Sequence, residues 1–292
     1  MTLDGVYVPL ITPFDATGAV ALDALEAVAY EVLEAGASGV VALGTTAEPA
    51  SLEPGERRAV LDLLARVCRE RSAALLVGAN TESALAALAG RPEVTAALTL
   101  VPPFLRPGEA AVVAYFAALA RKSPVPLVVY HVPYRTGQRL STDTVRRLAA
   151  VDSVVGIKYA VGGVDADTIA LMADPPAGFA VLGGDDAFVS PLLALGAHGG
   201  ILASAHVAPA SFVELVRAWR AGDAVRGRSL GHRLAALSGA LFAEPNPTVV
   251  KAVLHARGRI PTAGVRSPLL PAGPETVRAA LRHLDLPDQR AF

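Results

Sequence analysis

The stretch "DSVVGIKYAVGG", residues 152–163, decides how the whole chain is read. It is a short β-rich apolar run with a lysine, Lys158, near its middle, and an ionised lysine is costly to bury without a partner. Lysine is also scarce. Of 26 Lys and Arg residues only Lys122, Lys158 and Lys251 are lysines, so arginine carries the surface charge. Side chains alternate along a strand, which puts Val154, Gly156, Lys158 and Ala160 on one face and Val155, Ile157 and Tyr159 on the other. The bulky set suits a face covered by helices. The small set then points, with the lysine, into an enclosed interior. A lysine there is poorly solvated, its pKa falls toward neutrality, and the neutral amine is the form that attacks a carbonyl to make a Schiff base. The competing reading is a lysine paired with a buried carboxylate from a neighbouring strand.

Working outward, the same pattern recurs. Short apolar runs end in Gly, Thr, Asn, Pro or Asp: "GVYVPLIT", "SGVVALGTT", "AALLVGAN", "TAALTLVPP", "PLVVYHVP", "SVVGIKYA", "FAVLGGDD" and "HGGILASAHV". Amphipathic stretches such as "LDALEAVAYEVLEAG" and "PGERRAVLDLLARVCRER" lie between them, with apolar residues at helical spacing and Ser, Asp or Pro at their starts. Continuous apolar strands alternating with helices imply a parallel sheet covered on both sides. Eight evenly spaced units predict an α/β fold of the (β/α)8 TIM-barrel type, with a doubly wound open sheet as the runner-up. After the eighth strand the pattern is wholly helical. The expected organisation is a barrel over residues 1–222 and a C-terminal helical extension over 223–292, together one structural domain.

Composition narrows the function classes. A 52% hydrophobic content suffices for a large core, and a formal charge of −1 with no basic tract argues against nucleic acid or membrane as partner. The single cysteine, Cys68, excludes an internal disulfide and a cysteine-rich metal site, and it reads as a small apolar residue on a helix. The N-terminal "MTLDGVYVPLITPFD" lacks a basic region followed by a long apolar one, and no apolar run reaches the roughly 18 residues needed to span a bilayer. A cytoplasmic protein is expected.

In a TIM barrel the loops after the strands build the site, which turns the strand ends into a short list of candidates. Tyr130 ends strand five, beside Lys158, and its phenol is placed to move a proton; a buried core ring is the alternative. Thr45 and Thr46 follow strand two and offer short donors for a small carboxylate or a proton relay. Arg135, in "PYRTG", offers a fork for a carboxylate, though a lone arginine more often faces solvent. "GGDD" suggests a metal pair, but no His or Glu cluster accompanies it and a turn is the better reading. No G-x-S-x-G elbow or P-loop is present. Of the six histidines only His131 stands at such a strand end.

These segments carry a resemblance. "LITPFD", "GTTAE" followed by "SLEPGER", "GAN", "YHVPYRTG", "VVGIKYA", "GGDD", "GGILASAHVAP" and "LFAEPNPTVVKAVL" resemble, in order and spacing, the dihydrodipicolinate synthase / N-acetylneuraminate lyase family of class I pyruvate aldolases. The resemblance implies a Schiff base of pyruvate on Lys158 with no separate cofactor and no metal. It also implies that Tyr130 handles protons, Thr45 relays them, Thr46 holds the pyruvate carboxylate, and Arg135 receives the second substrate's carboxylate. Gly184 and Ile201 match backbone positions lining the site. Within the family the double threonine and "YRTG" point to 4-hydroxy-tetrahydrodipicolinate synthase, which condenses pyruvate with aspartate 4-semialdehyde in lysine and diaminopimelate biosynthesis. The implied partners are these small molecules and, since the family is usually tetrameric and built from dimers, further copies of the chain.

The chain also departs from the family pattern. "PPFL" replaces the usual "PYYN", so Phe104 stands where the resemblance implies a relay tyrosine, one that often reaches in from the partner subunit, and Pro103 replaces a ring expected at a lysine-inhibition site. Lysine feedback is therefore not expected. Alanine replaces glycine in "GTTAE", histidine replaces asparagine in "YHVP", and tyrosine stands where an acid is common in "IKYA". These changes keep open a sister aldolase or dehydratase acting on another 2-oxo acid through the same lysine. They also keep open a low-activity paralogue with a binding or regulatory role, against which the retention of Lys158, Tyr130, Thr45 and Arg135 argues.

Overall fold

The computed structural model describes residues 3–284. Eight parallel strands close into a barrel in sequence order: β1 (Gly5–Pro9), β2 (Gly39–Ala42), β3 (Ala74–Gly78), β4 (Val94–Leu100), β5 (Leu127–His131), β6 (Val154–Tyr159), β7 (Ala180–Gly183) and β8 (Gly199–Ile201). Closure is made by β1 against β8, with Tyr7 opposite Ile201. Every run read from the sequence as a strand contributes one, and the closed order removes the open-sheet alternative.

Around the barrel run α1 (Leu22–Glu34), α2 (Pro54–Arg71), α3 (Glu82–Ala86), α4 (Glu109–Lys122), α5 (Pro133–Thr136), α6 (Thr142–Ala149), α7 (Ala166–Ala173), α8 (Val189–Ala194) and α9 (Pro209–Arg220). The start of α2 shows how locally these are encoded. Pro54 occupies its first turn, and the side chains of Glu53 and Glu56 each accept from the other's backbone N–H, satisfying two donors that the helix leaves free. Cys68 is buried on this helix, and burial pushes its thiol up to about 12, which leaves it unreactive.

The core has two compartments. Tyr7, Val41, Leu76, Leu98, Val128, Leu182 and Ile201 fill the barrel interior. The alternate residues, such as Val6, Val8, Val40 and Val129, pack outward with Leu25, Val28 and Leu64 of the helices. On β6 the expected alternation holds from Ile157 onward: Ile157 and Tyr159 face the helices and Ala160 the interior. It is reversed at the start of the strand. Val154 belongs to the outer core and Val155 packs against the inner one. The cause is a shift of register, since Leu127 pairs with Val154 but Val128 pairs with Gly156. One extra residue in a bulge flips the faces before it and leaves those after it in phase. The lysine end of the strand therefore points where the alternation predicts, although its beginning does not.

Three further helices complete the described chain: α10 (Ala224–Leu241), α11 (Thr248–Ala256) and α12 (Pro274–Leu284). They fall where the helical C-terminal text was read, and the last part of the expected extension, 285–292, lies outside the described residues. Among the described residues no helix is long and apolar enough to cross a membrane.

Candidate active site

At the C-terminal mouth of the barrel lies a narrow cavity of about 20 Å³. Its wall includes Lys158, Tyr130, Thr45, Thr46, Arg135, Gly184 and Ile201, so the residues to which the resemblance gives a catalytic or binding role meet there. Lys158 is almost wholly enclosed at 7% exposure. Burial brings its pKa down to about 8; the negative charges of Asp186 and Asp185 pull it back up, and Arg135 lowers it further. No carboxylate among the described residues forms a direct ion pair with it. Tyr130 stands opposite Lys158 in the β5–β6 register, and the lysine Nζ lies 4.4 Å from the centre of its ring. Burial pushes the Tyr130 phenol up to about 12, so it stays protonated and able to donate.

Gly184 is required by contact. A Cβ there would come within 2.8 Å of the Lys158 Cγ and 2.9 Å of its Cε. Any larger residue would displace the lysine stem. Ile201 is fully buried at the end of β8. Thr45 and Thr46 sit on a single 3-10 turn, Thr45–Ala47, immediately after β2. Thr45 is exposed toward the mouth and Thr46 is buried, with its Oγ1 accepting from the Asn246 side chain at 2.9 Å. Arg135 is exposed on the short α5, its guanidinium 5.8 Å from the centre of the Tyr134 ring.

Two candidates of the sequence reading stand elsewhere. Phe104 does not line the cavity and is 89% exposed, in a loop where it and Arg106 both adopt left-handed backbone. His131 is buried on the outer face of β5, opposite Tyr159 and 5.8 Å from it between ring centres. Its burial brings its pKa down to about 4, so it is a neutral packing residue and cannot serve the cavity. The two departures "YHVP" and "IKYA" are thus one outward-facing pair.

The structure adds residues that the sequence reading passed over. Asp186, in the segment read as a turn, does begin a 3-10 turn, Asp186–Phe188, yet it also lines the cavity. It is 4% exposed, its Oδ2 accepts from the Ser204 backbone N–H at 2.5 Å, and burial raises its carboxyl to about 6. An acid closing the strand next to a lysine strand was the available signal. Tyr134 brings a hydroxyl-bearing ring to the mouth, and Phe242 and Asn246 arrive from beyond α10. Among the described residues no group of three His, Cys, Asp or Glu side chains converges as a metal site would require. A larger hollow of about 550 Å³ lies outside the barrel beside α2 and α3, but its walls carry no lysine, cysteine or tyrosine.

The likeness to known proteins follows the same line. Residues 2–284 match the model of the Dihydrodipicolinate synthetase family. The 4-hydroxy-tetrahydrodipicolinate synthase of Neisseria meningitidis serogroup B is 34% identical over 287 residues, covering 96% of this chain and 98% of that protein. The synthase of Methanothrix thermoacetophila is 36% identical over 276 residues, covering 93% and 92%. Among solved structures, the dihydrodipicolinate synthase of Acinetobacter baumannii complexed with pyruvate superposes with a TM-score of 0.90 at 32% identity, covering 97% of this chain and 99% of that one. The enclosed lysine at the end of β6, the barrel that carries it and the end-to-end match agree: this chain belongs to the Dihydrodipicolinate synthetase family, whose members are class I, pyruvate-dependent lyases that work through a lysine Schiff base without a cofactor.

Proposed function

We propose that this protein is a 4-hydroxy-tetrahydrodipicolinate synthase, which joins pyruvate to aspartate 4-semialdehyde through Lys158. The observation that carries the reading is Lys158 itself, buried without a direct ion pair and lowered to about 8, so that a useful fraction is a free amine near neutral pH. The amine attacks the ketone carbon of pyruvate, water leaves, and an imine forms. Loss of a proton from the pyruvate methyl gives an enamine, whose carbon then attacks the aldehyde. Tyr130, protonated and beside the lysine, supplies and recovers the protons, and Thr45 at the cavity rim passes them on. Thr46 holds the pyruvate carboxylate. Arg135 meets the carboxylate of the second substrate as it enters. Gly184 keeps the lysine stem free to reach the carbonyl. The chain acts in this reading as a homo-oligomer in the cytoplasm, with the exposed Phe104 and Leu105 available for contact between copies.

Incubation with pyruvate and borohydride, followed by mass measurement, tests the lysine. One reduced pyruvate should be added, on the peptide that contains Lys158. An unmodified mass rejects the reading, and an adduct that persists in Lys158→Ala rejects the assignment. Turnover with aspartate 4-semialdehyde tests the second substrate. One observation favours a sister reaction on another 2-oxo acid: Phe104 has no hydroxyl and stays outside the cavity. An adduct without condensation, alongside cleavage of a longer 2-oxo acid, would establish that alternative.

A further inference from the structure

The third lysine, Lys251, is fully buried on α11, and its Nζ donates to Glu48 Oε1 at 2.8 Å. Glu48 is itself 7% exposed, and its other oxygen accepts from the Arg266 backbone N–H at 2.8 Å. Both carboxylate oxygens are thus tied to the C-terminal part of the chain. The lysine also lies 4.0 Å from the centre of the Phe14 ring. A buried ion pair of this kind is a poor way to gain stability, since an apolar pair of similar volume does as well or better. It is a good way to fix one geometry.

The geometry fixed is that of the turn bearing the two threonines. Glu48 ends the Thr45–Ala47 turn in left-handed backbone, φ 54°. The turn is held again at Thr46 by Asn246, directly before α11, and at Ala47, whose carbonyl accepts from Thr12 Oγ1 at 2.8 Å. Lys251 in the first turn of α11 and Asn246 just ahead of that helix therefore each grip the turn, across about 200 residues of chain in each case.

We infer that Glu48 and Lys251 are positioning residues: their buried ion pair clamps the Thr45–Thr46 turn to the C-terminal helices and so sets the carboxylate-binding wall opposite Lys158. The C-terminal helices are on this view part of the substrate site. The inference rests on the reading that this turn receives pyruvate, and its test separates the two.

The test compares the parent with E48Q/K251M, which removes both charges and leaves neither buried alone. Two readouts are taken: the pyruvate concentration that half-saturates borohydride trapping, and hydrogen exchange at the amides of residues 45–48. The double variant should melt within a few degrees of the parent. Its half-saturating pyruvate should rise about tenfold, the worth of one lost charged hydrogen bond, while trapping at saturation changes little. Exchange should accelerate at the turn and not in the barrel strands. Unchanged half-saturation with unchanged exchange overturns the clamp, as does a proportional fall in saturated trapping and melting temperature, the mark of a merely structural pair. If the double variant does not fold, E48D keeps the charge but shortens the reach; faster turn exchange with a raised half-saturation supports the clamp, and parental values for both overturn it. A parent that traps no pyruvate while the variant's turn exchanges faster sinks the functional reading and leaves the clamp standing.

Discussion

Lys158 and Lys251 are both removed from water, but Lys251 meets a carboxylate at 2.8 Å whereas Lys158 faces a phenol ring and feels Asp185 and Asp186 only through space. Burial lowers the pKa of both, and for Lys251 the adjoining Glu48 opposes that fall. A lysine with a partner serves as a fixed charge. A lysine without one loses its proton more easily and becomes a nucleophile. The sequence shows the same residue in two apolar settings, and the neighbours decide which of these it is.

The comparison can be broken most sharply at Lys158. Lys158→Met should abolish the pyruvate adduct altogether. It should also stabilise the fold at pH 7. A lysine lowered to about 8 makes the folded chain carry a disfavoured charge at all pH values below that point, and the penalty fades as pH rises from about 8 toward the ordinary lysine value. Removing it should therefore raise unfolding stability at pH 7 by up to about 3 kcal/mol, with the gain shrinking above pH 8, as read from urea denaturation. A variant that loses stability would show that the lysine is held by a partner after all. The single change Lys251→Met should have the opposite effect, costing about 3–5 kcal/mol because it strands Glu48 in the interior. The same denaturation measurement reads both signs.

A smaller effect sharpens the electrostatics. The rate of borohydride trapping should rise as pH passes through about 8, where the Lys158 amine loses its proton. Asp186 carries its charge above about 6 and raises the lysine's pKa from there. Asp186→Asn should therefore move the midpoint of the trapping profile to lower pH, and a midpoint moved upward would contradict the arrangement. The smallest effects are expected at the two rings. Tyr134→Phe removes a hydroxyl from the cavity mouth and should slow condensation about fivefold, the worth of one neutral hydrogen bond. Phe104→Tyr adds a hydroxyl to a ring that stands outside its own chain's cavity and is 89% exposed in the single chain, and should change the rate by less than about twofold unless a neighbouring copy's cavity receives it. The family pattern alone points the other way, to a faster enzyme with tyrosine at 104, so steady-state kinetics on these two variants separates the structure from the resemblance.

Much of this was legible in the chain because barrels are built from local repeats. Each strand of β-branched and apolar residues, each Ser or Pro at a helix start, and the period-two placement of Lys158 are properties of neighbours in sequence. The outward direction of His131 was equally open to that reasoning, since it alternates with Tyr130, whose ring faces the interior. The bulge at the start of β6 was not, because it arises from pairing with β5 and not from β6 itself.

By itself, the sequence determined the eight-unit barrel, the inward lysine at the end of its sixth strand, and the candidates Tyr130, Thr45, Thr46, Arg135, Gly184 and Ile201 that share its cavity. Only the tertiary structure decided that Asp186 lies among them, that Phe104 and His131 do not, and that Asn246 and Lys251 hold the threonine turn from the far end of the chain. The reason is physical. Periodicity records which face of an element is buried, whereas pairing across about 200 residues depends on how finished elements pack, and no stretch of neighbours encodes that.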